Sequence, residues 1–168
     1  MFPKPWRLQL TVGLVVLLCP LALPHARAET RIHADAGVTV TVPLQWKVTE
    51  STDVMLAVSA DERAQVLVLV VTGRSHAELA QGLMRALGRK LEGLRPTGPR
   101  RQTTVNGLPA TAWQAEGRLR GATYELKLLA AKTPTNRLVL MLAMVDVAGA
   151  AADRAAAATM LGSLQPRG

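Results

Sequence analysis

The sequence predicts a single α+β domain, an antiparallel β-sheet covered by two main helices, behind a removable leader. Three observations carry this. Apolar residues alternate with polar ones, or run unbroken over strand-length segments, through most of the chain beyond Gly37. Only two segments read as helix, one opening at Ser75 and one spanning Ala148 to Leu161. Short turns join most of the strands, which makes sequence neighbours antiparallel and segregates the helices against the sheet. Of the 168 residues, about 140 remain beyond the leader. A domain of that size buries roughly two-thirds of its unfolded surface and needs no disulfide or metal to fold. An apolar fraction of 49% excludes a disordered chain.

Residues 1–28 have the three parts of a secretory signal peptide. Lys4 and Arg7 give a basic start, Leu8 to Leu23 an apolar stretch, and Ala26-Arg27-Ala28 a small-x-small exit before Glu29. Gln9, Thr11, Gly13 and Pro20 dilute the apolar run, which argues against a retained span of the ~20 apolar residues that a bilayer asks for. Leu18 before Cys19 and Pro20 after it are a poor match to a lipoprotein signal. Cleavage after Ala28 leaves a single domain over 29–168 with no cysteine, which excludes thiol catalysis and disulfide exchange. Its expected place is the bacterial periplasm or the exterior. Loss of Lys4, Arg7 and Arg27 lowers the formal charge from +8 to +5, a surplus that suits an acidic partner. Export, together with the lack of basic residues interleaved with aromatics, excludes nucleic acid.

The elements follow in order. Val38, Val40 and Val42 alternate with Thr39 and Thr41 as on a half-buried strand, and Pro43 breaks the ladder. Val54 to Val71 reads as a hairpin turning at Asp61-Glu62-Arg63, its second strand apolar on both faces and therefore central. Ser75 and Glu78 have capping-box spacing. Leu79, Leu83, Leu87 and Leu91 form the apolar stripe of the helix that follows, with Gly82 and Gly88 each costing it about 1 kcal/mol. Leu94 to Arg100, with two prolines and a glycine, reads as a loop. Asn106-Gly107 is a hairpin turn between Gln102–Val105 and Leu108–Glu116, and Gly117 to Gly121 is a second turn. Ala122, Tyr124, Leu126, Leu128 and Ala130 line one face of a long strand, and Leu138 to Val145 is apolar on both faces. The alanine-rich second helix follows, and Pro166 is expected to end the ordered part.

Gly37 to Pro43 followed by Trp46 resembles the opening of PsbP-like domains, which include the photosystem PsbP subunits and the bacterial DcrB-like envelope proteins. Asn106-Gly107-Leu108-Pro109-Ala110 resembles the hairpin that opens their second half, and Leu161-Gly162-Ser163-Leu164 their closing helix. The likeness runs from about Ile32 to Leu164. It implies an antiparallel sheet between helices and a non-enzymatic, often exported protein acting through protein contacts. The implied partner is another envelope protein. No catalytic or cofactor-binding residue is carried over.

The residues themselves offer little chemistry. His33 and His76 lie far apart with no thiolate, so no metal ligand set is expected, and His33 beside Asp35 reads as an exposed pair. Ser75 next to His76 is a cap rather than a nucleophile, and neither a Gly-x-Ser-x-Gly elbow nor a nucleotide loop is present. Glu116 and Glu125 could face each other across a hairpin, but acids flanking a basic turn more often make surface ion pairs. Trp46 and Trp113 read as core or sheet-cover residues. What remains is a candidate partner-binding set, Arg100 and Arg101 with Arg118 and Arg120, which forms a basic patch if the two pairs meet. The alternative is a small-molecule or lipid carrier using space between the sheet and the first helix.

Overall fold

The computed structural model describes residues 28–72 and 75–167. The leader therefore lies outside the described residues, apart from Ala28. The chain opens with β1 (Ala28–His33), which pairs with β2 (Val38–Pro43), and Gly37 holds a positive φ in the turn between them. β3 (Lys47–Glu50) and β4 (Val54–Val58) form a second hairpin, and β4 pairs on to β5 (Ala64–Val71) as the alternation predicts. β1 and β3 are strands that the sequence pattern does not announce. They are short, polar and exposed, and are set by their partners.

The capping box forms at the start of α1 (His76–Gly88). Ser75 Oγ accepts from the Glu78 N–H at 3.2 Å, and the Glu78 carboxylate accepts from the Ser75 N–H at 2.9 Å. The helix stops before Leu91, but Leu91 stays buried in the same core. The stripe is thus continued by a loop residue. Beyond it, the expected loop is partly wrong: β6 (Glu92–Pro96) is a strand with a bulge and a positive-φ Gly93. Its proline and glycine make it irregular, yet pairing along an edge overrides that composition.

β7 (Arg101–Val105) and β8 (Leu108–Leu119) meet at Asn106-Gly107, both with positive φ as a type I′ turn requires. β8 runs further than expected. The turn to β9 (Ala122–Lys132) is only Arg120-Gly121, and Gly117 lies within the strand. A Cβ on Gly117 would sit 3.2 Å from Leu91 Cβ, so close packing rather than turning explains that glycine. β10 (Leu138–Asp146) has every residue buried, as its two-faced apolarity predicts. α2 (Ala151–Gly162) begins later than the alanine run suggests. Ala148 and Gly149 form a turn whose N–H groups bond Asp146, and Ala150 is the N-cap with an extended backbone (φ −63°, ψ 139°), so helical geometry starts only at Ala151. Pro166 does not end the order: β11 (Gln165–Pro166) pairs with β2.

The main sheet has the order β3-β4-β5-β10-β9-β8-β6, with β7 also on β8, and all its pairings are antiparallel. One face packs on α1 through Leu79, Leu83 and Leu87 against Leu128, Leu140 and Leu142. The other packs on α2 and on a small β1-β2-β11 sheet, where Val38, Val42, Trp46, Met160 and Leu164 meet Val66, Val139 and Met141. The prediction of helices covering an antiparallel sheet holds, with the small second sheet as an addition.

Candidate functional site

The four arginines do not form one patch. Arg101 lies opposite Ala112 in β8, and Arg118 is six residues further along that strand, about 20 Å away at ~3.4 Å per residue. Arg100 is tied down separately, its guanidinium 5.0 Å from the centroid of the half-buried Trp113 ring. An exposed cation–π contact of this kind is worth about 0.5–1 kcal/mol.

Arg118 and Arg120 do stay together. Arg120 occupies the first position of the two-residue turn with φ +51°, and Gly121 the second with φ +84°. Both arginines are exposed, and neither makes a salt bridge among the described residues. Their neighbours come from an unexpected place, the end of α1. Leu91 and Leu94 pack against Gly117, and Glu92 pairs in register with Arg118. This carries Arg89 and Lys90, both exposed, to the same corner of the molecule. The grouping is therefore Arg89, Lys90, Arg118 and Arg120, with Glu92 as the one acid on the strand beside them. Cations at a helix C-terminus also oppose the negative end of its dipole. The Arg89-Lys90 dipeptide after a helix was the available signal, but only the packing onto Gly117 shows what it adjoins.

The acid pair reads as expected for surface ion pairs. Glu116 and Glu125 are register partners on adjacent strands, and each is met by an arginine: Arg95 at 3.2 Å from Glu116, Arg154 at 3.6 Å from Glu125. At another edge, Asp61 is held below the usual carboxylate range, chiefly by the Ser59 hydroxyl donating at 2.6 Å and then by the Arg63 N–H. Asp153 is pushed up by burial, with the nearby Asp61 charge adding to it. Trp46 is 4% exposed and belongs to the core. His33 is not a free surface pair with Asp35: its Nε2 lies 2.7 Å from Thr52 O, and its Nδ1 accepts from the Ala36 N–H at 3.2 Å. Among the described residues no group of three or more His, Cys, Asp or Glu could hold a metal ion, and no helix is long and apolar enough to cross a membrane. The gap between α1 and the sheet, lined by Met84, Leu87 and Leu142 among others, is only about 40 Å³.

No protein-family model and no curated protein matches the chain. Solved structures do. The chain is similar to cyanobacterial PsbP (CyanoP) from Synechocystis sp. PCC 6803, at 8% identity and TM-score 0.60, over 86% of this chain and 95% of that one. It is similar to LpqN of Mycobacterium tuberculosis, a protein involved in cell envelope biogenesis, at 16% identity and TM-score 0.53, over 84% and 91%. A protein from Bacteroides thetaiotaomicron matches at 13% identity and TM-score 0.56, over 83% of this chain and 48% of that one, so the chain spans about half of its length. Identities this low establish architecture, and the shared architecture is that of the first of these structures. The chain has the PsbP-like fold.

Proposed function

We propose that the chain is an exported, envelope-associated, non-enzymatic domain that binds an acidic surface of another envelope protein. The observation that carries this is the basic corner. Four exposed cations, from the end of α1 and from the β8–β9 turn, are set by main-chain packing rather than by flexible loops. Cations held this way attract an acidic partner and set its orientation. The leader pattern and the envelope role of LpqN support the location. A carrier role under α1 is disfavoured, because about 40 Å³ there holds roughly one water.

The test is affinity capture from the native envelope, eluted along a salt series, with the parent protein and Arg118→Glu/Arg120→Glu. Both positions are exposed, so the variant is expected to melt as the parent does. The expected result is a single captured protein that the parent releases at raised salt and that the variant holds about tenfold more weakly. Undiminished capture by the folded variant would remove the corner as the contact.

A further inference from the structure

We propose that a cleft between the β1–β2 hairpin and the β3–β4 turn binds a small neutral amphiphile, an apolar body bearing an amide- or ester-type acceptor. The cleft measures about 280 Å³, against about 40 Å³ under α1. That is close to the lower end of small-molecule sites, at roughly 300 Å³. Its floor is apolar and belongs to the core: Val38 and Val40 from β2, Met55 from β4, Val68 and Val70 from β5. A floor built from packed strands is fixed before any ligand arrives, which keeps the ordering cost of binding low.

The mouth is polar and held at a set width. One lip is β1, with Arg31, Ile32 and His33; the other is the turn carrying Glu50, Ser51 and Thr52. Two bridges join the lips, His33 Nε2 to Thr52 O at 2.7 Å and Arg31 Nη1 to Glu50 Oε2 at 3.8 Å. A neutral His33 ring protonated on Nε2 satisfies this bond and the one accepted from Ala36 together. Ile32, 58% exposed, extends the apolar surface outward from the mouth.

The head group follows from Arg31. Arg31 lines the mouth; its Nη2 bonds Glu29 at 2.8 Å, but its Nη1 lies 3.8 Å from Glu50 Oε2, too far for a hydrogen bond. Such a donor calls for an acceptor, and a ligand carbonyl supplies one. A carboxylate is the wrong acceptor here. Asp35 and Glu50 outnumber Arg31 among the charged residues of the lining, so a second negative charge is repelled. The cleft lies on the β1 and β4 side of the fold, apart from the basic corner, and neither proposal depends on the other.

The probes are hexanamide and hexanoate, titrated into the protein with its valine and methionine methyls labelled and followed by NMR. Hexanamide is expected to shift the Met55, Val68 and Val70 methyls saturably, and hexanoate to need at least about tenfold higher concentration. Arg31→Lys keeps the charge but removes the guanidinium Nη1 donor, and is expected to weaken hexanamide about tenfold. Ile32→Glu changes an exposed residue, leaves the core alone, and should weaken hexanamide without altering the fold. Arg118→Glu/Arg120→Glu should leave the titration unchanged. Motionless cleft methyls, or a response confined to the α1 face, would overturn the site. An equal response to hexanoate, or Arg31→Lys and Ile32→Glu variants that both bind like the parent, would overturn the recognition described for it.

Discussion

Replacing Asn106 with aspartate is expected to destabilise the fold by about 2 kcal/mol, although the residue sits in an exposed turn. Its Nδ2 donates to Gly162 O and to Leu164 O, both at 2.9 Å, and so caps the last carbonyl of α2, which the helix cannot satisfy, and one just beyond its end. Each such bond contributes roughly 1 kcal/mol net. Aspartate keeps the size and the tolerance of the positive φ of 47°, but it cannot donate and sets a carboxylate against two carbonyls. Neighbouring bonds make this junction matter. Ser163 Oγ accepts from the Thr41 N–H at 2.9 Å, and Leu164 is fully buried, so the end of α2 is pinned to β2 and to the β7–β8 turn together. For a domain of about 140 residues, 2 kcal/mol lowers the melting temperature by roughly 8 °C. The assay is thermal unfolding by circular dichroism at neutral pH, with Asn106→Gly beside it. Glycine loses the same two bonds while suiting the same backbone angle, and should fall within about 1 kcal/mol of aspartate. If Asn106→Asp melts within about 2 °C of the parent, the two bonds do not staple the helix and the reasoning fails.

The remaining expectations concern two glycines and one acid. Gly117→Val should cost about 1–3 kcal/mol in urea unfolding, because its Cβ would lie 3.2 Å from Leu91 Cβ, which is anchored near the main chain. A neutral result would mean that the loop after α1 gives way. Gly82→Ala meets nothing within 4 Å in the middle of α1 and should instead stabilise by about 0.5–1 kcal/mol in the same assay. Asp61→Asn should lower the melting temperature at neutral pH, with the difference from the parent closing in acid. The folded-state pKa of Asp61 lies below its ordinary 3.8, so its stabilisation is present above that value and lost as pH falls through the folded-state pKa. A difference that is constant down to strongly acid pH would contradict this.

Several features were legible from the chain because their causes are local. A capping box needs Ser75 and Glu78 three residues apart, and it formed. A type I′ turn needs two residues that accept positive φ, and Asn106-Gly107 supplied them. Strands buried on both faces need unbroken apolar runs, and β5 and β10 became the centre of the sheet. Other readings failed where a distant partner decided. Glu92–Pro96 looks like a loop by composition, yet β8 offers it an edge with free hydrogen-bonding groups. Gly117 looks like part of a turn, but it is a strand residue that leaves room for Leu91.

The candidate sites divide along the same line. Residue types and the Gly117–Gly121 turn signal placed Arg118 and Arg120 together at a hairpin, because two positions on one side of a tight turn stay close in any fold. Pairing them with Arg100 and Arg101 required the length of β8, and that strand holds them about 20 Å apart. Arg89 and Lys90 joined the corner only because Leu91 and Leu94, in the segment after α1, pack on Gly117 of β8. The cleft at His33 had no signature in the chain, since its floor comes from three strands that read as ordinary core. The sequence by itself determined the class of fold, the central strands, the helix start and the tight turns, all set by interactions within a few residues. Only the tertiary structure decided which charges share a corner and where a cavity opens, because both depend on register and packing between segments far apart in the chain.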